Sequence, residues 1–186
     1  GTLTLTVSGT VTNAQLEAGA FPTSYIPTTG ATATRARDLA EIPTSAFGYN
    51  NDKGSLVIDV LAPVADQLMT LAHFNTSSYL ESRSLWKTNS NFTAAGNHFL
   101  FVCQQTTIQL GAYTQDEYIK LGLSYGDSER AVKDGGTVAS GTRRYVNPTR
   151  LHLGGRDSGY QSQCWIKSIQ YYPRQLTDTQ LQELTT

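Results

Sequence analysis

Two kinds of side chain give a protein surface a grip on a sugar. An aromatic face packs against the apolar side of a pyranose ring, and Arg, Asn, Asp or His groups bond its hydroxyls. Trp86, Tyr79, Arg83, His98, Tyr113 and Tyr160 supply that inventory here, with Arg156 and Asp157 added by the polar run Arg156-Asp157-Ser158-Gly159-Tyr160. Trp86 lies between Leu85 and Lys87, so in a strand one of Leu85 and Trp86 must face outward. The run that begins at Arg156 is expected at one end of the domain, where loops collect. Taken singly, each residue is more simply explained by packing or by a solvated tyrosine. As a cluster they point to glycan binding, and ten tyrosines against one methionine strengthen the hint.

Bond-breaking chemistry asks for more. Retaining glycoside hydrolysis needs two carboxylates about 5 Å apart, one as acid and one as nucleophile. The acids of the central region are Asp59, Asp66, Glu81, Asp116, Glu117, Asp127 and Glu129, and their spacing provides no such pair. His73, His98 and His152 are not spaced as zinc ligands. Calcium wants several converging oxygens. Asp127 with Glu129, or Asp157 near Asn147, are too sparse and read as isolated surface acids. No catalytic residue, metal or other cofactor is expected. Cys103 and Cys164 sit in apolar runs and read as buried reduced thiols, with a single disulfide left open.

The frame for these residues is legible from pattern. Charged residues make up 16% of the 186, below the usual ~25%, while Thr, Ser, Gly, Asn and Gln abound, as in β-proteins with polar uncharged faces. The net charge of -1 argues against nucleic acid as a partner, and no apolar run is long enough for membrane insertion. The chain opens on Gly1, so its start is expected to be a cut. Residues 1–38 read as an N-terminal arm with one strand from the alternating TLTLTVSGTV, followed by Pro22, Pro27 and Gly30. Residues 39–186 read as a run of short strands. Leu56, Ile58 and Val60 face inward by period two, 119–125 alternates cleanly, and Asp134-Gly135 turns a hairpin. Residues 163–172 look apolar on both faces, with Trp165, Ile169 and Tyr171 on one side and Cys164, Ile166 and Tyr172 mostly on the other. Such a strand belongs inside a sheet stack. Thr177 and Gln180 form a capping box for a final helix pinned by Leu181 and Leu184. The expected fold is an all-β antiparallel sandwich with a short C-terminal helix.

Two resemblances add to this. Gln15-Leu16-Glu17, Thr23-Ser24-Tyr25-Ile26-Pro27-Thr28 and Arg35-Ala36-Arg37-Asp38 match a Q-L-E-x-G, a T-S-Y-I-P-T and an R-A-x-D run. The leader that carries them resembles junctions in bacteriophage and prophage tail proteins. Over residues 40–186 the order YIKLGLSYG, D-G-G, L-x-L-G-G and W-I-K-S-I-Q-Y-Y-P-R-Q-L-T-D-x-Q-L resembles the laminin G-like, concanavalin A-type jelly roll. In that family the last strand returns beside the first and a short helix closes the domain. Enzymes of related folds are poorer matches. The laminarinase type carries E-x-D-x-x-E, which is absent. The alginate-lyase type carries Y-x-K-x-G-x-Y, matched by Tyr118, Lys120 and Gly122, but Tyr125 comes one residue late and on the opposite face. The dense acidic cluster of legume-type lectins is also missing. Together the resemblances imply a non-catalytic, lectin-like host-recognition module of a phage tail or tail-fibre protein. They imply location in the virion and a homo-oligomer such as a trimer, with a host surface glycan and other virion subunits as partners. A structural or decoration domain is the second reading; it expects Trp86 and Tyr79 at a subunit interface. A polysaccharide lyase or hydrolase is the third.

Overall fold

A computed structural model describes residues 4, 6–17, 24–34, 39–63, 68–75, 82–89, 98–104, 106–156 and 162–186. The chain divides into two compact units, Gly1–Asp38 and Leu39–Thr186. In the first, the described residues form neither strand nor helix, and nearly all are exposed. The strand expected from Thr-Leu alternation does not form among them. Alternation supplies a face, but a ladder needs a partner edge. A local contact is present instead, from Ile26 N–H to Gln15 Oε1 at 2.7 Å.

The second unit contains β1 (Ala40–Pro43), a 3-10 turn (Thr44–Phe47), β2 (Gly54–Leu61), β3 (Met69–Asn75), β4 (Ser82–Lys87), β5 (His98–Cys103), β6 (Thr106–Ala112), β7 (Tyr118–Tyr125), β8 (Glu129–Lys133), β9 (Ala139–Gly141), β10 (Arg150–Leu153), β11 (Trp165–Tyr172) and α1 (Asp178–Leu184). Six strands pair in the order β1-β10-β3-β4-β5-β6 and five in the order β11-β2-β7-β8-β9. Every pairing is antiparallel. The expected all-β sandwich is the fold. Its core forms where the two inner faces meet. Leu56, Ile58 and Val60 pair across to Leu123, Leu121 and Ile119 in one sheet. They are buried in one cluster with Phe74, Leu85, Phe101 and Ile108 of the other.

The last strand departs from expectation. β11 is an edge strand, paired with β2 rather than set inside a stack or beside β1. A bulge between Ile166 and Ser168 shifts its parity. Ile166, Ile169 and Tyr171 therefore pack on the core, while Trp165 is 51% exposed instead of sharing a face with Ile169.

The closing helix forms as its residues dictate. Thr177 Oγ1 accepts the Gln180 N–H, and Gln180 Oε1 accepts the Thr177 N–H, both at 3.2 Å. Leu181 is fully buried against Val132 and Leu176, and Leu184 packs beside them. Gly122 makes this docking possible, since a Cβ there would lie 3.0 Å from Val132 Cγ1 and 3.3 Å from Leu181 Cδ2. The hairpin turn takes positive φ at Asp134 (47°) and Gly135 (64°).

Candidate functional site

Strand alternation in β4 sends Arg83, Leu85 and Lys87 to the core side and Ser82, Ser84 and Trp86 to the other face. Arg83 is consequently an interior group, 1% exposed, and not the surface sugar ligand expected from its type. It crosses the sandwich to Glu129 of β8, with Nε to Oε2 at 3.2 Å and Nη2 to Oε1 at 3.1 Å. Its remaining donors reach Tyr49 Oη at 3.0 Å and the Arg144 carbonyl at 2.6 Å, and its guanidinium lies 4.0 Å from the Tyr125 ring centroid. Burial works against its charge, but Tyr49 and Glu129 outweigh that and hold its pKa above the ordinary value. Tyr113 also turns inward. Its hydroxyl donates to the Ala62 carbonyl, its ring meets Phe99 edge-on, and Lys87 Nζ lies 4.3 Å from its centroid.

Trp86 and Arg156 do come together, on the outer side of the six-stranded sheet. The guanidinium carbon is 5.7 Å from the indole centroid. Trp86 is 3% exposed, so it backs the half-buried Arg156 rather than offering its own ring to solvent. His98 begins β5 on the same face, its N–H donating to Thr88 Oγ1 at 3.0 Å. A polar row crosses this face beside them. His152 Nδ1 lies 3.6 Å from Glu41 Oε2, the His152 and His73 rings are 6.2 Å apart, and His73 Nδ1 meets Ser84 Oγ at 2.5 Å. Tyr79, Asp157 and Tyr160 lie outside the described residues.

A second surface was not singled out by sequence spacing. Where β2 begins and β7 and β11 end, Asp52, Lys53, Asp127, Arg143, Tyr145 and Arg174 line an open depression of about 610 Å³, floored in part by Gly126 and Gln175. Hydrogen bonds from buried and half-buried groups set its walls. Tyr125 Oη donates to the Asn50 carbonyl at 2.7 Å, Tyr171 Oη accepts the Asn50 N–H at 2.8 Å, and Asn50 Oδ1 accepts the Asp52 N–H at 2.8 Å. The Arg143-to-Tyr145 stretch is pinned through Arg144, whose N–H donates to Glu129 Oε1 at 3.0 Å and whose carbonyl accepts from Arg83. Gln175 bridges to the turn after β7, accepting the Asp127 N–H and donating to the Ser128 carbonyl, both at 3.1 Å. Polar residues just outside strand ends were the available signal. Only strand order shows that four such turns share one end.

Both cysteines are free. Burial pushes the Cys103 thiol up to about 12 and the Cys164 thiol to about 11. Among the described residues no three His, Cys, Asp or Glu side chains converge as metal ligands.

The fold has close counterparts among solved structures. The CBM40 module of the Ruminococcus gnavus IT-sialidase, bound to α2,3-sialyllactose, superposes with a TM-score of 0.60 at 15% identity, covering 81% of this chain and 97% of that one. The NanB sialidase of Streptococcus pneumoniae aligns with a TM-score of 0.61 at 13% identity, over 77% of this chain and 26% of that one. Trypanosoma rangeli sialidase gives 0.58 at 15%, over 72% and 22%. The chain thus spans about a quarter of each of these two sialidase chains. No family model and no curated protein matches it.

These likenesses overturn the phage assignment. The similar structures described above are parts of bacterial and trypanosomal sialidases, not tail proteins. Short strings in a 38-residue leader do not define a fold. The tail-fibre context and the virion location fall with that assignment, and the similar structures lend no support to virion-subunit partners or a trimer.

Proposed function

We propose that the sandwich is a non-catalytic carbohydrate-binding module for sialylated glycans. The supporting observation is the extent of the likeness. The chain covers 97% of a CBM40 module whose structures hold α2,3- and α2,6-sialyllactose. In the larger sialidase chains it corresponds to a minor part only. A sialyl unit carries one carboxylate, and a guanidinium bonds a carboxylate in a two-point fork. Arg156, held over Trp86, is the cation proposed for that role. His98 on the same face is a proposed contact, as are Tyr79, Asp157 and Tyr160 on sequence grounds.

Titration calorimetry with α2,3- and α2,6-sialyllactose, against lactose, tests this reading. Millimolar binding, about 4 kcal/mol, is expected for the sialyl compounds alone. Arg156→Gln is expected to weaken it about tenfold or more, the cost of one charge-assisted contact. Absence of binding to both sialyl compounds would sink the proposal. Free sialic acid is expected not to accumulate on prolonged incubation, and its release would make the domain an enzyme.

A further inference from the structure

The depression at the strand ends of the five-stranded sheet has the chemistry of a site in its own right. Its lining holds three cations, Lys53, Arg143 and Arg174, and two carboxylates, Asp52 and Asp127, for a net charge of +1. Arg143 and Asp52 face each other at 3.9 Å, and Arg143 also stacks 4.3 Å from the Tyr145 ring centroid. Lys53 and Arg174 are different. Both are exposed, and among the described residues neither side chain makes an ion pair or hydrogen bond. Among the described residues the Asp127 carboxylate also has no partner, while its N–H is tied to Gln175. Tyr145 is 71% exposed, yet its backbone is fixed, its carbonyl accepting from Gln104 Nε2 at 3.0 Å.

We propose that this depression binds a pyranose bearing a single carboxylate, at a place separate from Arg156 and independent of the reading above. None of its lining residues belongs to the six-stranded sheet. The two uncommitted cations take the carboxylate, Arg174 by its fork and Lys53 as a point charge. Tyr145 stacks on the apolar side of the ring, and Asp127 accepts from ring hydroxyls. The charge balance sets the class. A net +1 with two carboxylates in the wall suits a monoanion and repels polyphosphates, polysulfates and nucleic acid. The lining has no aliphatic side chain, which excludes an apolar ligand. The loops need little reordering on binding, because hydrogen bonds already hold them.

The test is a ¹H–¹⁵N NMR titration of the whole chain with three methyl glycosides: a β-glucuronide, an α-N-acetylneuraminide and a neutral β-glucoside. The amides of Lys53, Gly126, Asp127 and Gln175 are expected to shift with one or both acidic sugars and not with the glucoside. Which acid binds identifies whether a uronate or a sialyl unit is the source. K53Q/R174Q changes only exposed side chains, so the fold is retained, and it is expected to weaken this binding about ten- to a hundredfold. Shifts confined to the Trp86 indole and its neighbours would overturn the second site while leaving the module a glycan binder. Equal shifts with the neutral sugar, or shifts unaltered in K53Q/R174Q, would also overturn it.

Discussion

Arg83 and Glu129 place a full ion pair inside a sandwich core, 1% and 0% exposed. Such a pair is tolerated because every strong donor has a partner, but its Coulomb gain is offset by desolvation. Removing one member is therefore far costlier than removing both. Glu129→Leu is expected to lose about 3–5 kcal/mol in urea unfolding, whereas R83M/E129L is expected to fall close to wild type. Equal losses for the two would show that the pair is a net stabiliser. The double variant also releases Arg144, so binding at the strand-end depression should weaken although stability is kept. The cysteines give a second test at this scale. With pKa values near 12 and 11, both thiols are almost wholly protonated at pH 8. Slow labelling by a disulfide reagent in the native state, and rapid labelling of both in urea, is the expected pattern.

At the scale of elements, the closing helix and the last strand differ in how far sequence could reach. The helix cap is local: Thr177 and Gln180 are three residues apart, and both bonds form. Thr177→Ala is expected to cost about 1 kcal/mol by thermal or urea unfolding. Helix docking depends on Gly122, which no local rule marks. Gly122→Ala would push a methyl against Val132, Leu181 and Thr185, at an expected cost of about 1–3 kcal/mol. A Gly122→Ala protein as stable as wild type would mean that the helix has room to move. The bulge in β11 could not be read at all. It adds a residue relative to β2, so it is a property of the pair rather than of either strand.

At the scale of the whole sandwich, buried Tyr125 and half-buried Tyr49 and Tyr171 form one cluster, and that cluster sets the response to alkali. Tyr49 stacks on Tyr125 and Tyr171 at 5.7 Å in each case. Burial raises the pKa of Tyr49 and Tyr125 above the ordinary 10. It likewise raises Cys103 and Cys164 from 9. A raised acid stays protonated in the native state after the unfolded chain has released its proton. The native state then binds more protons, and stability falls as pH rises. Full stability is expected below about pH 9. Above it the thiols contribute first and the phenols from about pH 10, each by about 1.4 kcal/mol per pH unit. Urea midpoints measured from pH 7 to 11 check this. Tyr125→Phe should start lower, having lost its bond to Asn50, but decline less steeply.

By itself the sequence determined the sandwich, because period-two alternation, turn glycines and a helix cap are written in neighbouring residues. It also determined a polar and aromatic inventory suited to sugars. Which of those residues meet was decided by tertiary structure. Parity sent Arg83 inward and left Trp86 beneath Arg156, and Tyr113, just past the end of β6, turned in to the Ala62 carbonyl. Strand order gathered Lys53, Asp127, Tyr145 and Arg174, up to 121 positions apart, at one end of a sheet. Local spacing cannot encode such neighbours, because the hydrogen-bond ladders that bring them together run between strands distant in the chain.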